Sequence, residues 1–96
     1  MAVPKKHLKD LHQLFASIRT VEEAKLLLQD ILTPAELEAI AERWQLIQAL
    51  ASGKPQRQIA HDLKLSISKI TRGSRMLQYG GGGFGHFLKK LGKMKK

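Results

Sequence analysis

In residues 56–77, QRQIAHDLKLSISKITRGSRML, the apolar residues follow the pattern of a helix-turn-helix. A first short helix carries Ile59, Ala60 and Leu63 on one face, at helical spacing. Residues 64–66 form the turn, and a second helix follows, so that the unit extends over about residues 56–78. Many DNA-binding proteins use such a unit to place its second helix in the major groove.

The second helix of the pair starts at Ser66, whose hydroxyl can accept a hydrogen bond from the backbone of its first turn. Four residues then recur at helical spacing: Ile67, Ile70, Thr71 and Leu77. An ordinary helical hairpin fits the same spacing, because the pattern is degenerate and Lys64 stands where glycine is more common. Spacing alone leaves both interpretations open.

The distribution of charge favours DNA binding. Nine of the 17 lysine and arginine residues lie from Lys64 onward, where there is no aspartate or glutamate, and the first 63 residues hold all eight acids. The formal net charge of +9 therefore belongs to the last third of the chain. A surface of one sign attracts a polyanion and predicts salt-sensitive binding. Double-stranded DNA is the leading partner, and on charge alone RNA and an anionic membrane surface stay open.

Length and composition limit the other classes. The 96 residues predict a single helical domain over residues 1–96 with a modest core. The absence of cysteine excludes disulfides and thiolate metal sites. No apolar run approaches the roughly 20 residues of a membrane span, and no apolar signal core follows the two N-terminal lysines. We therefore expect no membrane partner and a cytoplasmic location.

Helical periodicity on both sides of this unit predicts about six helices in all. Capping boxes at residues 20–23 and 33–36 start the second and third helices, and Gly53 ends the third. Apolar residues nearly encircle the second helix, which indicates that it is buried. One short chain has little material to bury it, so a homodimer is expected.

The C-terminal part begins with four glycines at residues 80–83. They are not a phosphate loop, because no Gly-Lys-Ser/Thr sequence follows them. The pattern predicts a flexible hinge, a short and loosely docked sixth helix, and a flexible basic tail at about residues 92–96.

Gly73 lies inside the second helix of the pair, on the side that should pack inward. Glycine there costs about 1 kcal/mol of helix stability relative to alanine and leaves a space of side-chain size. A planar aromatic ligand could fill that space, stacked on the Arg72 guanidinium with its carboxylate paired to the charge. The alternative is close packing of another helix, or of a second copy, against Gly73.

These residues resemble the tryptophan repressor family. The resemblance rests on Leu32-Thr-Pro-Ala-Glu36, Arg43, Gln56-Arg57 and above all Ile70-Thr-Arg-Gly-Ser74 followed by Leu77. It covers about residues 31–77, with one residue fewer after Gly53, and the N-terminal third resembles the repressor-like branch of that family. It implies an all-α, intertwined homodimer of the Trp-repressor type. It also implies a repressor of the bacterial cytoplasm and nucleoid that binds operator DNA, with L-tryptophan as corepressor.

By position, the resemblance implies two sets of site residues. The DNA-binding set is Gln56, Arg57, Ser66, Ile67, Ser68, Lys69, Thr71, Arg72 and Arg75. The corepressor set is Leu32, Thr33, Arg43, Arg72, Gly73 and Met76, with the indole between the two arginines and Thr33 supplied by the other subunit. Polar residues at the start of a second helix are also those that should reach base edges.

Two positions depart from the family pattern. Met76 stands where the repressor has a serine close to the ligand's amino group, which removes an acceptor and adds bulk. Lys69 replaces a threonine on the DNA-reading face, so a different operator sequence is expected.

Three functions stay open. The first is a repressor gated by an aromatic amino acid, and the second is a constitutive DNA-binding module without a ligand, which Met76 favours. The third is a basic nucleoid or RNA-associated protein; it is disfavoured because the predicted reading helix, residues 66–78, holds no aromatic residue for base stacking. No nucleophile–base set or zinc-type histidine spacing is found, so we expect no enzyme, no metal and no cofactor other than the corepressor.

Overall fold

The computed structural model describes residues 2–93, which form six α-helices and no β-strand. The helices are α1 (Lys5–Ala16), α2 (Val21–Ile31), α3 (Pro34–Ala51), α4 (Gln56–Leu63), α5 (Ile67–Tyr79) and α6 (Gly83–Lys90). The predicted all-α class with about six helices is confirmed. Residues 94–96 of the predicted basic tail lie outside the described residues.

The described helices fall into two compact units, which meet in the sequence between Leu37 and Glu38. The single domain over residues 1–96 and the intertwined homodimer both stay predictions. Within residues 2–93, no helix is long and apolar enough to cross a membrane.

Capping fixes the helix starts in the first unit. The Glu23 N–H donates to Thr20 Oγ1 at 3.1 Å, and the Arg19 N–H donates to the Glu23 carboxylate at 2.9 Å. Thr33 and Glu36 form a reciprocal capping box, with N–H to oxygen distances of 2.8 and 3.2 Å. The hydrogen bond from the Thr33 backbone lowers the pKa of the Glu36 carboxyl from its ordinary value of 4.5. Both predicted capping boxes therefore start helices.

Apolar side chains of the first unit are exposed in a single copy of the chain. No residue of α1 or α2 is buried. Val21 and Leu26 of α2 are 86% and 63% exposed. One stripe of α1 carries four apolar side chains that are each 40–41% exposed: Leu8, Leu11, Leu14 and Phe15. The burial predicted for α2 is thus absent within one copy, and apolar surface of this kind marks an interaction site.

The core of the second unit holds the helix-turn-helix together. Its buried residues come from α3, α4, the turn and α5, and are Leu46, Ile59, Leu65 and Ile70. Ile59 and Ile70 are fully buried, and the small Ala60 packs against the cluster. The predicted pairing of two helices over this stretch is confirmed.

The turn between α4 and α5 tolerates lysine where glycine is usual. Lys64 has φ 56° and ψ 45°, in the left-handed region that side chains disfavour. The Leu65 N–H donates to the Ala60 carbonyl at 3.1 Å, which closes α4. Ser66 then caps α5, because its hydroxyl accepts from the Lys69 N–H at 3.2 Å. Local hydrogen bonds on both sides hold the strained residue in place.

The sixth helix contacts α3 through an aromatic pair. Leu88 is fully buried, and the ring of Phe84 stacks on Trp44 of α3 with centroids 6.3 Å apart and planes at 24°. Gly82, with φ +88°, takes the left-handed conformation that starts α6. The loose docking predicted for α6 stays a prediction, because Phe87 and Leu91 on either side of Leu88 are 50% and 55% exposed.

Candidate nucleic-acid interface and adjoining cavity

The exposed side of α5 carries the candidate DNA-binding surface. An open groove of about 700 Å³ runs along it, and we call it the reading groove. Five predicted DNA-binding residues line it: Ile67, Ser68, Thr71, Arg72 and Arg75. Ile70 and Gly73 on the same helix are buried, so α5 has one face in the core and one face open to a partner. The structure brings these five residues into one surface.

The other four predicted DNA-binding residues do not line this groove. Gln56 and Arg57 are exposed in the first turn of α4. Ser66 is the N-cap of α5, so its hydroxyl has a structural task as well. Lys69 turns toward α3, where its Nζ donates to Glu42 Oε1 at 3.3 Å. Ion pairs between exposed side chains contribute about 0–1 kcal/mol, which leaves such a lysine available for exchange with another anion.

A second cavity, of about 260 Å³, lies between α3 and α5 and is called the α3–α5 cavity. Four predicted corepressor residues line it: Arg43, Arg72, Gly73 and Met76. Glu42 and Lys69 also line it, and its apolar side chains are those of Ala39, Leu46 and Leu65. Three bases, one acid and an apolar wall suit an anionic ligand with an apolar body.

The remaining two predicted corepressor residues belong to the first unit. Leu32 is the C-cap of α2, and the Thr33 hydroxyl accepts from the Glu36 N–H at 3.2 Å. Their predicted contribution is to the cavity of the other subunit and stays a prediction.

Gly73 is in close contact with α3. A Cβ at this position would lie 2.6 Å from Leu46 Cδ2 and 3.2 Å from Leu46 Cγ, closer than side-chain atoms normally pack. The expectation of an empty space of side-chain size at this glycine is wrong, because Leu46 already occupies it. The alternative, close packing of another helix, is what the structure has. The α3–α5 cavity lies beside this contact.

The Asp62 carboxylate of α4 is held by three side chains nearby in the sequence. The Asp62 carboxylate lies 3.4 Å from His61 Nδ1, accepts from Gln58 Nε2 at 2.9 Å, and pairs with Lys54 Nζ at 3.4 Å. The hydrogen bond with His61, followed by those with Gln58 and Lys54, lowers its pKa from the ordinary 3.8. Because the pKa of Asp62 is lower in the folded protein, its contacts stabilise the folded state at pH values above the ordinary pKa. This stabilisation is lost as the pH falls through the lowered pKa.

Sequence reasoning missed several residues at these sites. Leu46 follows Arg43 by three positions, so helical spacing could have placed it on the same face of α3. Glu42 and Lys69 are 27 positions apart, and no local signal joins them. α5 ends at Tyr79, one residue later than predicted, and Tyr79 is 79% exposed. It also lines the reading groove, about 18 Å along the helix from Ile67. The expectation that the reading helix holds no aromatic side chain is therefore wrong.

The paired helices, with a buried face and a basic open face on α5, define a helix-turn-helix protein of the DNA-binding class. Residues 6–92 match the profile of the family described as Trp repressor protein, and the chain belongs to that family. The family is one of DNA-binding regulators of transcription and not of enzymes.

Similar proteins carry a consistent description. The chain is 43% identical over 65 residues to a Trp operon repressor homolog of Mannheimia succiniciproducens, covering 67% of this chain and 64% of that protein. It is 38% identical over 85 residues to a Trp operon repressor homolog of Chlamydia caviae, covering 88% and 84% of the two chains. The crystal structure of a TrpR-like protein from Eubacterium eligens is similar with a TM-score of 0.87 at 25% identity, covering 96% of this chain and 95% of that one. The match thus spans slightly less than two thirds of the first relative and most of the other two.

Proposed function

We propose that this protein is a sequence-specific DNA-binding repressor of transcription that acts as a homodimer and is gated by an aromatic amino acid such as L-tryptophan. The observation that carries the proposal is the reading groove, in which five predicted contact residues share the open face of α5. Relatives described as Trp operon repressor homologs support the repressor assignment.

Residues at different positions along α5 are proposed to contact different parts of the DNA. Ile67, Ser68 and Thr71 lie in its first turns, where the second helix of such a pair meets base edges. Ile67 is 55% exposed although it is apolar, which suits contact with a thymine methyl group. Arg72 and Arg75 follow, and guanidinium groups there suit phosphates, which fix the position of the helix without reading sequence.

The exposed apolar stripe of α1 and the exposed apolar side chains of α2 support the homodimer. A second copy of the chain carries the same apolar faces and can cover them symmetrically. A dimer also presents two copies of α5 to DNA, and half-sites one helical turn apart, about 34–36 Å, suit such a pair.

We expect light scattering at micromolar concentration to give twice the 10.8 kDa of one chain. Leu11→Glu places a charge in the apolar stripe of α1 and should shift the protein toward monomer. Gln13→Glu, on an exposed polar position of the same helix, is the matched control and should leave the mass unchanged. A wild-type mass of 10.8 kDa would contradict the dimer.

The α3–α5 cavity supports gating by a ligand. Arg43 and Arg72 offer guanidinium groups for a carboxylate and for stacking on an aromatic ring, and the apolar wall suits the ring itself. Met76 in the same lining provides no strong hydrogen-bond acceptor for an ammonium group, and this favours the second candidate function, DNA binding without a ligand.

Calorimetric titration with L-tryptophan, followed by DNA binding with and without it, separates these two functions. We expect wild-type protein to release or absorb heat with L-tryptophan, and its affinity for DNA to rise. Met76→Ser should bind the ligand about tenfold more tightly, since a hydrogen bond to a charged group contributes about 1.5–3 kcal/mol. Absence of heat in both proteins would leave constitutive DNA binding as the function.

A further inference from the structure

Glu42 has no part in the function proposed so far, yet its side chain lies at the border of the candidate interface. Its Oε1 atom accepts from Lys69 Nζ at 3.3 Å. Lys69 is the third residue of α5, next to Ser68 of the reading groove, and both members of the pair line the α3–α5 cavity. The contact joins the face that should meet DNA to the helix behind it.

The pair is unusual in the charge pattern of the chain. From Lys64 onward the sequence contains no acid of its own, so any carboxylate near those bases must come from an earlier helix. Within residues 2–93, Lys69 is the basic side chain from position 64 onward that is paired with a carboxylate. The side chains of Lys69 and Glu42 are 63% and 40% exposed, so the pair is accessible to an approaching anion.

We propose that Glu42 is a specificity-determining residue for DNA binding, because it holds the Lys69 ammonium and restrains it from pairing with phosphates of any sequence. The inference rests on the proposed DNA-binding function. Each additional phosphate contact made by a lysine or arginine side chain raises the non-specific affinity for DNA and makes that affinity depend more steeply on salt. A lysine already paired with a carboxylate loses that partner on binding a phosphate, so its gain from an arbitrary sequence is small.

A matching sequence offers Lys69 more than a phosphate does. Guanine presents two acceptors, O6 and N7, to a lysine in the major groove, and a well-placed contact of this kind contributes about 1–3 kcal/mol of discrimination. An exposed ion pair contributes only about 0–1 kcal/mol. The free energy therefore falls when Lys69 leaves Glu42 to contact a guanine edge. It changes little when Lys69 leaves Glu42 to contact an isolated phosphate.

The test compares Glu42→Gln with Glu38→Gln in the full-length protein. Glu38 is exposed on α3 one turn before Glu42, so its replacement makes the same change in net charge without touching Lys69. Affinity is measured, at several salt concentrations, for a 30-base-pair duplex of random sequence and for a duplex selected from a random pool. Glu42→Gln should bind the random duplex up to about fivefold more tightly, with a salt slope steeper by about 1. Its preference for the selected duplex should fall, and Glu38→Gln should change either affinity less than twofold.

A double-mutant cycle separates the contact from the charge. In a Lys69→Gln background, Glu42→Gln should leave both affinities unchanged, and circular dichroism should show that all variants are folded. Equal effects of Glu42→Gln and Glu38→Gln, or an effect that persists without Lys69, would overturn the role of Glu42 while DNA binding itself stands. Wild-type protein that binds neither duplex would overturn the proposed function and this inference together.

Discussion

Gly73→Leu is expected to abolish binding of an aromatic amino acid and to lower the free energy of unfolding by about 1–3 kcal/mol. The new side chain meets Leu46, which is itself buried, because even a Cβ would lie 2.6 Å from Leu46 Cδ2. Removal of a helical glycine contributes about 1 kcal/mol in the opposite direction. The overlap dominates because Leu46 belongs to the core cluster and can give way only by leaving its packed position. Displaced atoms would enter the α3–α5 cavity and exclude the ligand.

Replacing Gly73 and Gly85 by alanine compares a closely packed helical glycine with an open one. Gly85 lies in α6, and a Cβ there meets nothing within 4 Å. Gly85→Ala should therefore raise the free energy of unfolding by up to about 1 kcal/mol, whereas Gly73→Ala should lower it. Both are measured by denaturant unfolding at equal protein concentration, since the stability of a dimer depends on concentration. If Gly73→Ala stabilises the protein as Gly85→Ala does, the close contact with Leu46 is misassigned.

Ile70→Ala is expected to lower the free energy of unfolding by about 2–5 kcal/mol and to abolish DNA binding. Ile70 is fully buried in the cluster that joins α3, α4 and α5, so its loss leaves a cavity where the two helices of the unit meet. The position of α5 relative to α4 depends on that contact, and DNA recognition depends on that position.

Ile67→Ala is the control for Ile70→Ala, because it removes the same atoms from the same helix on its exposed side. Ile67 is 55% exposed, so the variant should change the free energy of unfolding by less than about 0.5 kcal/mol. It should instead weaken preference among DNA sequences, because Ile67 lines the reading groove. Equal destabilisation by the two variants would mean that the buried and open faces of α5 are assigned incorrectly.

Features with local causes could be predicted from the sequence. The capping boxes at Thr20 and Thr33 form as their spacing indicates, and Ser66 caps the second helix of the pair. The apolar spacing of residues 56–77 predicts the buried positions Ile59 and Ile70, although Ile67 and Thr71, which share the same spacing, are exposed. The position of the reading groove on the exposed side of α5 was therefore only partly predictable, because Ile67 and Thr71 line it.

Features that depend on contacts between distant residues could not be predicted in the same way. Whether the space at Gly73 is empty depends on the Leu46 side chain, which sequence does not locate. The contact between α6 and α3 depends on stacking between Trp44 and Phe84, and the ion pair of Lys69 depends on Glu42 of another helix. For each of these, a pattern along one helix is insufficient because the partner lies on an element far away in sequence.

Sequence-specific DNA binding by α5 of a dimer can be tested in one equilibrium measurement. Binding of wild-type protein is measured for a duplex selected from a random pool and for the same duplex with its bases scrambled, at 50 to 200 mM salt. We expect a preference for the selected duplex of about 10³ or more, two half-sites about 10 base pairs apart, and affinity that falls steeply with salt on both duplexes. Equal affinity for the two duplexes would contradict this expectation.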